Sequence, residues 1–195
     1  MSIEKSTAQD SVSAGLIANR TGSESVGAGG VYTATCVGAD GQVKWTDTFH
    51  NLVVNEGLQD MNGKYFKGSG YTAAWFLGLV DGASTPTYAA GNTLATHAGW
   101  TELVPGVAYT GNRPAVTFNA ASPTLADTSV VSNSVAPSSF AMLVNGTVVA
   151  GALLCTVASG TSGILFSVGS FTGGNKSVDS GDALNVTYQF SLDAA

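Results

Sequence analysis

The chain has 195 residues, with 7 Lys and Arg against 13 Asp and Glu and a formal net charge of −6. So few cations exclude the basic face that a nucleic-acid-binding protein needs to neutralise phosphates, and the length suits one domain with a substantial buried core. Charged residues make up 10 % of the chain and hydrophobic residues 44 %, whereas an ordinary soluble domain carries about 25 % charged residues. Ser, Thr, Asn, Gln and backbone must therefore cover most of the surface, and such a surface suits close contact with other protein because few charges would need partners on burial.

Residues 1–30 are rich in Ser, Ala and Gly and lack hydrophobic periodicity, which reads as a flexible N-terminal arm ahead of a single domain at 31–195. Its few apolar residues, Ile3, Val12, Leu16 and Ile17, cannot offset their own ordering entropy. The arm is expected to order against a neighbouring subunit, with those four residues as candidate partner contacts. Its start lacks the basic region and apolar core of a secretory signal, and no apolar run approaches the roughly 20 residues that span a bilayer. Assembly in the cytoplasm, with no membrane partner, is the expectation.

From Val31 the pattern turns strand-like: "VYTATCV", a turn at Asp40-Gly41, then "VKWTDTFHNLVV". Asp-Gly between two such runs predicts a hairpin. Val43, Trp45, Asp47 and Phe49 alternate with Lys44, Thr46 and Thr48, so one face of this sheet is expected to meet solvent. Asn55 is placed to cap a short helix over "EGLQDMNGKYF", with Leu58 and Met61 on one side and Gly57 and Gly63 limiting its length. The continuous apolar run at 73–80 predicts a strand buried on both faces. From Asp81 to Val107 strand signals fade and Pro86, Gly91, Gly99, Pro105 and Gly106 punctuate a long loop, a kind of segment that is usually functional or held by a partner. Tyr88 and Trp100 are its expected anchors, and Arg113 is placed to pair with Glu102 and pin it.

The C-terminal half reads as a strand at "AVTFNA", a loop at "ASPTLADTS", then "SFAMLVNGTVVAGALLCTV", "GILFSVGSF" and "ALNVTYQFSL". Asn145-Gly146 predicts a type I′ hairpin joining strands at 139–144 and 147–155. In the last run Leu184, Val186, Tyr188, Phe190 and Leu192 alternate with polar residues, which marks one face on the core. Counting runs gives about eight strands and one short helix, an all-β fold of the jelly-roll-like or two-sheet β-sandwich kind.

Few residues carry chemistry. His50 and His97 have no second metal ligand at a useful spacing, no G-x-S-x-G elbow is present, and "GSGYTA" at 68–73 lacks the strand-loop-helix setting of a dinucleotide site. Asp179, Ser180 and Asp182 have the oxygen ligands for Ca²⁺, but a turn entering the last strand accounts for them better. Cys36 and Cys155 sit in apolar strand contexts and are expected to be buried free thiols. No enzyme activity, cofactor or metal is expected.

One pattern points further. Asn51, Val53, Asn55, Gly57 and Leu58 form an "N-x-V-x-N-x-G-L" run, and Trp75, Leu77, Gly78 and Leu79 a "W-x-L-G-L" strand. After them come Tyr88, Gly91 and Thr93, then Trp100-Thr101-Glu102, then Arg113-Pro114. Across about a third of the chain this resembles the small structural proteins of tailed bacteriophages. The resemblance implies a virion component, a capsid decoration (cement) protein that binds and stabilises the major-capsid shell at the capsid surface. Its implied partners are the major capsid protein and copies of itself, as a homo-oligomer assembled in the host cytoplasm. It also accommodates a tail-associated or fibre protein contacting host-surface glycans. Tyr88, Trp100, Glu102 and Arg113 join the arm residues as candidate partner contacts.

Overall fold

The computed structural model of the protein describes residues 26–71, 73–125 and 128–194. The arm residues Ile3, Val12, Leu16 and Ile17 lie outside the described residues. Two antiparallel six-stranded sheets pack face to face, with one short helix, which makes the fold an all-β two-sheet sandwich. β1 (Val26–Val37) and β2 (Val43–His50) form the expected hairpin, turning at Gly41 with φ +80. β1 begins at Val26, inside the stretch read as arm, because it pairs along its whole length with the last strand, β12 (Ala183–Ala194). Glycine is required at position 30, where a Cβ would run into the Tyr188 ring.

The run after β2 does not continue as one strand. At Asn51 the chain leaves the first sheet, and β3 (Leu52–Val53) pairs with β10 (Leu165–Ser170) in the second. Helix α1 spans Asn55–Tyr65, and Val54 rather than Asn55 occupies its N-cap, with no side-chain cap bond. The Asn55 N–H instead donates to Ala90 O at 2.8 Å, so a carbonyl from the distant loop does the capping. The fully buried residue of α1 is Gly57; of the two apolar residues placed on one side, Met61 packs against the core while Leu58 is 40 % exposed. A Cβ at Gly57 would stand 2.6 Å from Phe166 O, so the helix approaches β10 backbone to backbone and its side chains flank that contact.

β4 (Trp75–Asp81) follows, and β5 is only Ala115–Val116, much shorter than the predicted 115–120. The stretch read as a loop at 121–129 contains β6 (Ser122–Leu125), which pairs with β7 (Thr128–Ser132). Pro123 is tolerated there because β6 is an edge strand. β8 (Ser138–Ala141) joins β12 in the first sheet, whereas β9 (Thr147–Cys155) lies in the second between β10 and β4. Asn145-Gly146 therefore links the two sheets and is not a type I′ hairpin. Gly146 has φ +68, and no described non-glycine residue has positive φ, whereas type I′ needs both central residues there. The turn is held instead by the β11 (Lys176–Val178) to β12 connection: Gly146 N–H donates to Asp179 Oδ1 and Ser180 N–H to Asn145 Oδ1, both at 2.9 Å. Twelve strands are present among the described residues where about eight were expected. The extra ones, β3, β6, β7 and β11, run two to five residues, too short for a period of two to register clearly.

Tyr32, Phe49, Leu77, Leu79, Leu154 and Tyr188 lie in the core between the sheets. The opposite side of the second sheet is also buried: Val80, Leu153, Cys155, Leu165 and Val168 form a second cluster with Leu94 and Trp100 of the long loop. That loop acts as a third layer, which explains why β4 and β9 are apolar on both faces. Among the described residues, no such cluster covers the outer face of the first sheet. Cys36 and Cys155 are free and buried, as expected; burial and the nearby Asp182 push the Cys36 thiol up to about 11.

Candidate functional site

Residues 82–114 carry the predicted loop contacts. Trp100 is 3 % exposed, its Nε1–H donates to Asn92 Oδ1 at 3.1 Å, and the His97 ring stacks on it at 3.9 Å. Half-buried Tyr88 packs edge-on against Trp100 and shares a 2.7 Å hydrogen bond with Ser170 Oγ on β10. The two rings anchor the loop as expected, and they face the second sheet. They offer no open platform on which a sugar ring could stack.

Arg113 and Glu102 are brought together as the sequence suggests, but inside the protein. Arg113 Nε and Nη2 donate to the two carboxylate oxygens of Glu102 at 2.7 and 2.6 Å, and Nη1 donates to Val157 O and Gly160 O at 3.0 and 3.1 Å. The side chains are 3 % and 15 % exposed. This fork-to-fork pair ties the end of the loop to the 156–164 turn. Glycine at position 78 makes room for it, because a Cβ there would collide with Glu102 Oε1.

The acidic cluster at 179–182 is a second clamp. Lys44 Nζ lies 2.8 Å from Asp182 and 3.2 Å from Asp179, and Asp182 also accepts the Asp179 N–H at 2.9 Å. Burial pushes the Asp182 carboxyl up, but Lys44 and the Asp179 N–H outweigh it, and the net shift is downward. Asp179 is lowered by the Gly146 N–H and Lys44. A depressed folded-state carboxyl contributes stability above the ordinary carboxylate range and loses it as pH falls below about 4. Lys44→Met should therefore be less stable than the parent at pH 7, with the deficit narrowing towards pH 2 in urea melts. A deficit that stays constant with pH would show that Lys44 acts through packing alone. Among the described residues, no group of three or more His, Cys, Asp or Glu could hold a metal ion.

What the sequence did not reveal is an apolar groove at one end of the sandwich. A cavity of about 570 Å³ lies between the C-terminal half of α1, the segment leading to Trp75, and Leu192 of β12. A second, of about 240 Å³, shares Met61, Tyr71 and Trp75 with it and reaches in to Phe118, Phe166 and Phe190. Trp75 is fixed edge-on against Phe166 at 5.2 Å, and its Nε1–H donates to Tyr71 Oη at 3.1 Å. On the rim Tyr65 and Phe66 stack edge-on at 5.0 Å while remaining 84 % and 79 % exposed. Lys64 spans the rim, 3.6 Å from Asp60 and 5.6 Å from the centre of the Tyr71 ring. The available signal was "KYF" at the end of the helix, two adjacent large aromatic residues.

No protein-family model, curated protein or solved structure matches this chain.

Proposed function

We propose that this chain is a non-enzymatic structural protein that works by binding other protein, and specifically a tailed-phage capsid decoration (cement) protein bridging major-capsid subunits. The observation that carries this reading is the groove. Its rim exposes two large aromatic side chains beside a deep apolar channel, a combination typical of interface anchors and the pockets they fill. The phage assignment rests on the residue pattern that runs from Asn51 to Pro114. Low charge supports the same reading, because repeated weak contacts on a symmetric shell bind through avidity without a desolvation cost for each charge. The glycan-binding alternative needs Tyr88 and Trp100 at the surface, and both pack against the second sheet.

Purified chain should co-sediment with expanded empty shells of its own phage at a fixed ratio to the major capsid protein. Tyr65→Ser with Phe66→Ser should weaken that binding at least about tenfold, as expected for loss of aromatic anchors. Shells that retain no parent protein at any concentration would sink the proposal.

A further inference from the structure

The groove lies at the end of the sandwich where the chain enters the fold. β1 begins at Val26, which pairs with Ala194, and two residues further on Ala28 pairs with Leu192 of the groove wall. Directly opposed residues of an antiparallel pair share a face, so Ala28 stands beside Leu192 and Gly30 beside Phe190. At these two positions β1 brings no large side chain to the groove. The 25 residues ahead of β1 lie outside the described residues. In sequence they hold one adjacent pair of large apolar residues, Leu16-Ile17, and the stretch from Ala18 to Ser25 that separates this pair from β1 holds none.

We propose that Leu16 and Ile17 occupy the groove of their own chain. The inference goes beyond the reading above and concerns the free protein: the channel is filled from within, and Tyr65 and Phe66 on its rim are left to the shell. Reach favours this occupant. From Ile17 to Val26 is nine residues, up to about 30 Å when extended. Leu192 is one strand across and two residues along from Val26, about 8 Å. The surplus length lets the chain reverse, and Asn19, Gly22 and Ser23 supply the residue types of turns. Chemistry favours it too, because Met61, Trp75, Phe190 and Leu192 offer the apolar surface whose burial against two aliphatic side chains offsets the ordering of the tether. A segment on so short a tether is held at a millimolar effective concentration. A contact too weak to capture a second copy from dilute solution therefore suffices within one chain.

Cys36 and Cys155 are buried, so a nitroxide attached to full-length Ala18→Cys marks the arm alone. At about 50 μM, well under the effective concentration of the tethered segment, the NMR signals of the Met61 methyl and the Trp75 indole should lose most of their intensity. The Met142 methyl, bonded through its backbone to the start of β12 at the other end of the sandwich, should keep its own. Adding Leu16→Ser and Ile17→Ser to the nitroxide-bearing chain should restore the two groove signals. When nitroxide-bearing chain is mixed with isotope-enriched chain that carries no nitroxide, the enriched signals should stay intact. Broadening in that mixture would assign the groove to a neighbour's arm. Groove signals that stay intact in the nitroxide-bearing chain, or broadening that survives the two serines, would deny Leu16 and Ile17 the groove. Any of these results overturns the proposal. Shell binding separates the two readings. A chain that shows the broadening but binds no shell removes only the capsid assignment, while one that binds shells without the broadening removes only the docked arm.

Discussion

Arg113→Ala is expected to lower stability by about 3–5 kcal/mol, the range for removing one partner of a buried ion pair. The loss exceeds that of a surface pair because Glu102 is left 15 % exposed without its cation and the carbonyls of Val157 and Gly160 lose their donor. For a domain of this size the midpoint of thermal unfolding should fall by roughly 6–20 °C. Arg113→Lys should recover only part of it, since an ammonium cannot reproduce the fork. Arg113→Met combined with Glu102→Leu should recover most, because no charge remains buried. Limited proteolysis of Arg113→Ala should cut first within 82–114, the segment that the pair fastens. A midpoint within about 2 °C of the parent, which corresponds to under 1 kcal/mol, would mean that the loop is held by Trp100 and Leu94 alone.

Asn51→Ala should cost about 2–4 kcal/mol. Asn51 sits where the chain crosses from one sheet to the other, and its side chain works in both directions. Oδ1 accepts the Gly30 N–H at 2.8 Å and Nδ2 donates to Tyr188 Oη at 2.9 Å. Tyr188 Oη in turn lies 3.3 Å from Ser167 Oγ, which is 2.7 Å from Tyr32 Oη. These groups span the core between the sheets, and burial raises both tyrosine hydroxyls above their ordinary range, so the chain of hydrogen bonds is the main source of their satisfaction. Removing the amide strands one buried backbone donor and strips a donor from Tyr188, each worth about 1–3 kcal/mol. Tyr188→Phe removes the hydroxyl alone and should cost less, because Ser167 Oγ keeps Tyr32 Oη as a partner and Asn51 Oδ1 keeps the Gly30 N–H. The double variant should fall short of the sum of the two, because they share one bond. Strict additivity in chemical denaturation would show that the network is not coupled.

Several residues of the pattern that runs from Asn51 to Pro114 turn out to have internal roles. Asn51 joins the sheets, Gly57 lets α1 approach β10, Gly78 accommodates Glu102, and Trp100 and Arg113 fasten the loop. The pattern was legible because each of these roles demands one residue type. The groove was not, since its lining comes from α1, β4, β10, β12 and the stretch around Phe118, and no local spacing relates them.

By itself the sequence determined the all-β class, the β1–β2 hairpin at Asp40-Gly41, the one-sided alternation of β12, the burial of both thiols and the Glu102–Arg113 pairing. Each follows from a local rule: side-chain period, turn chemistry, or opposite charge at the ends of one loop. Only the tertiary structure decided which sheet each strand joins, and there the Asn145-Gly146 expectation failed. A turn signal reports that the chain reverses, whereas β8 and β9 are assigned by their long-range partners β12 and β4. The tertiary structure also decided that the long loop is a third layer over one sheet. Burial of a loop without periodicity depends on what lies beneath it, here Val80, Leu153 and Val168, and those residues come from three strands far apart in the chain.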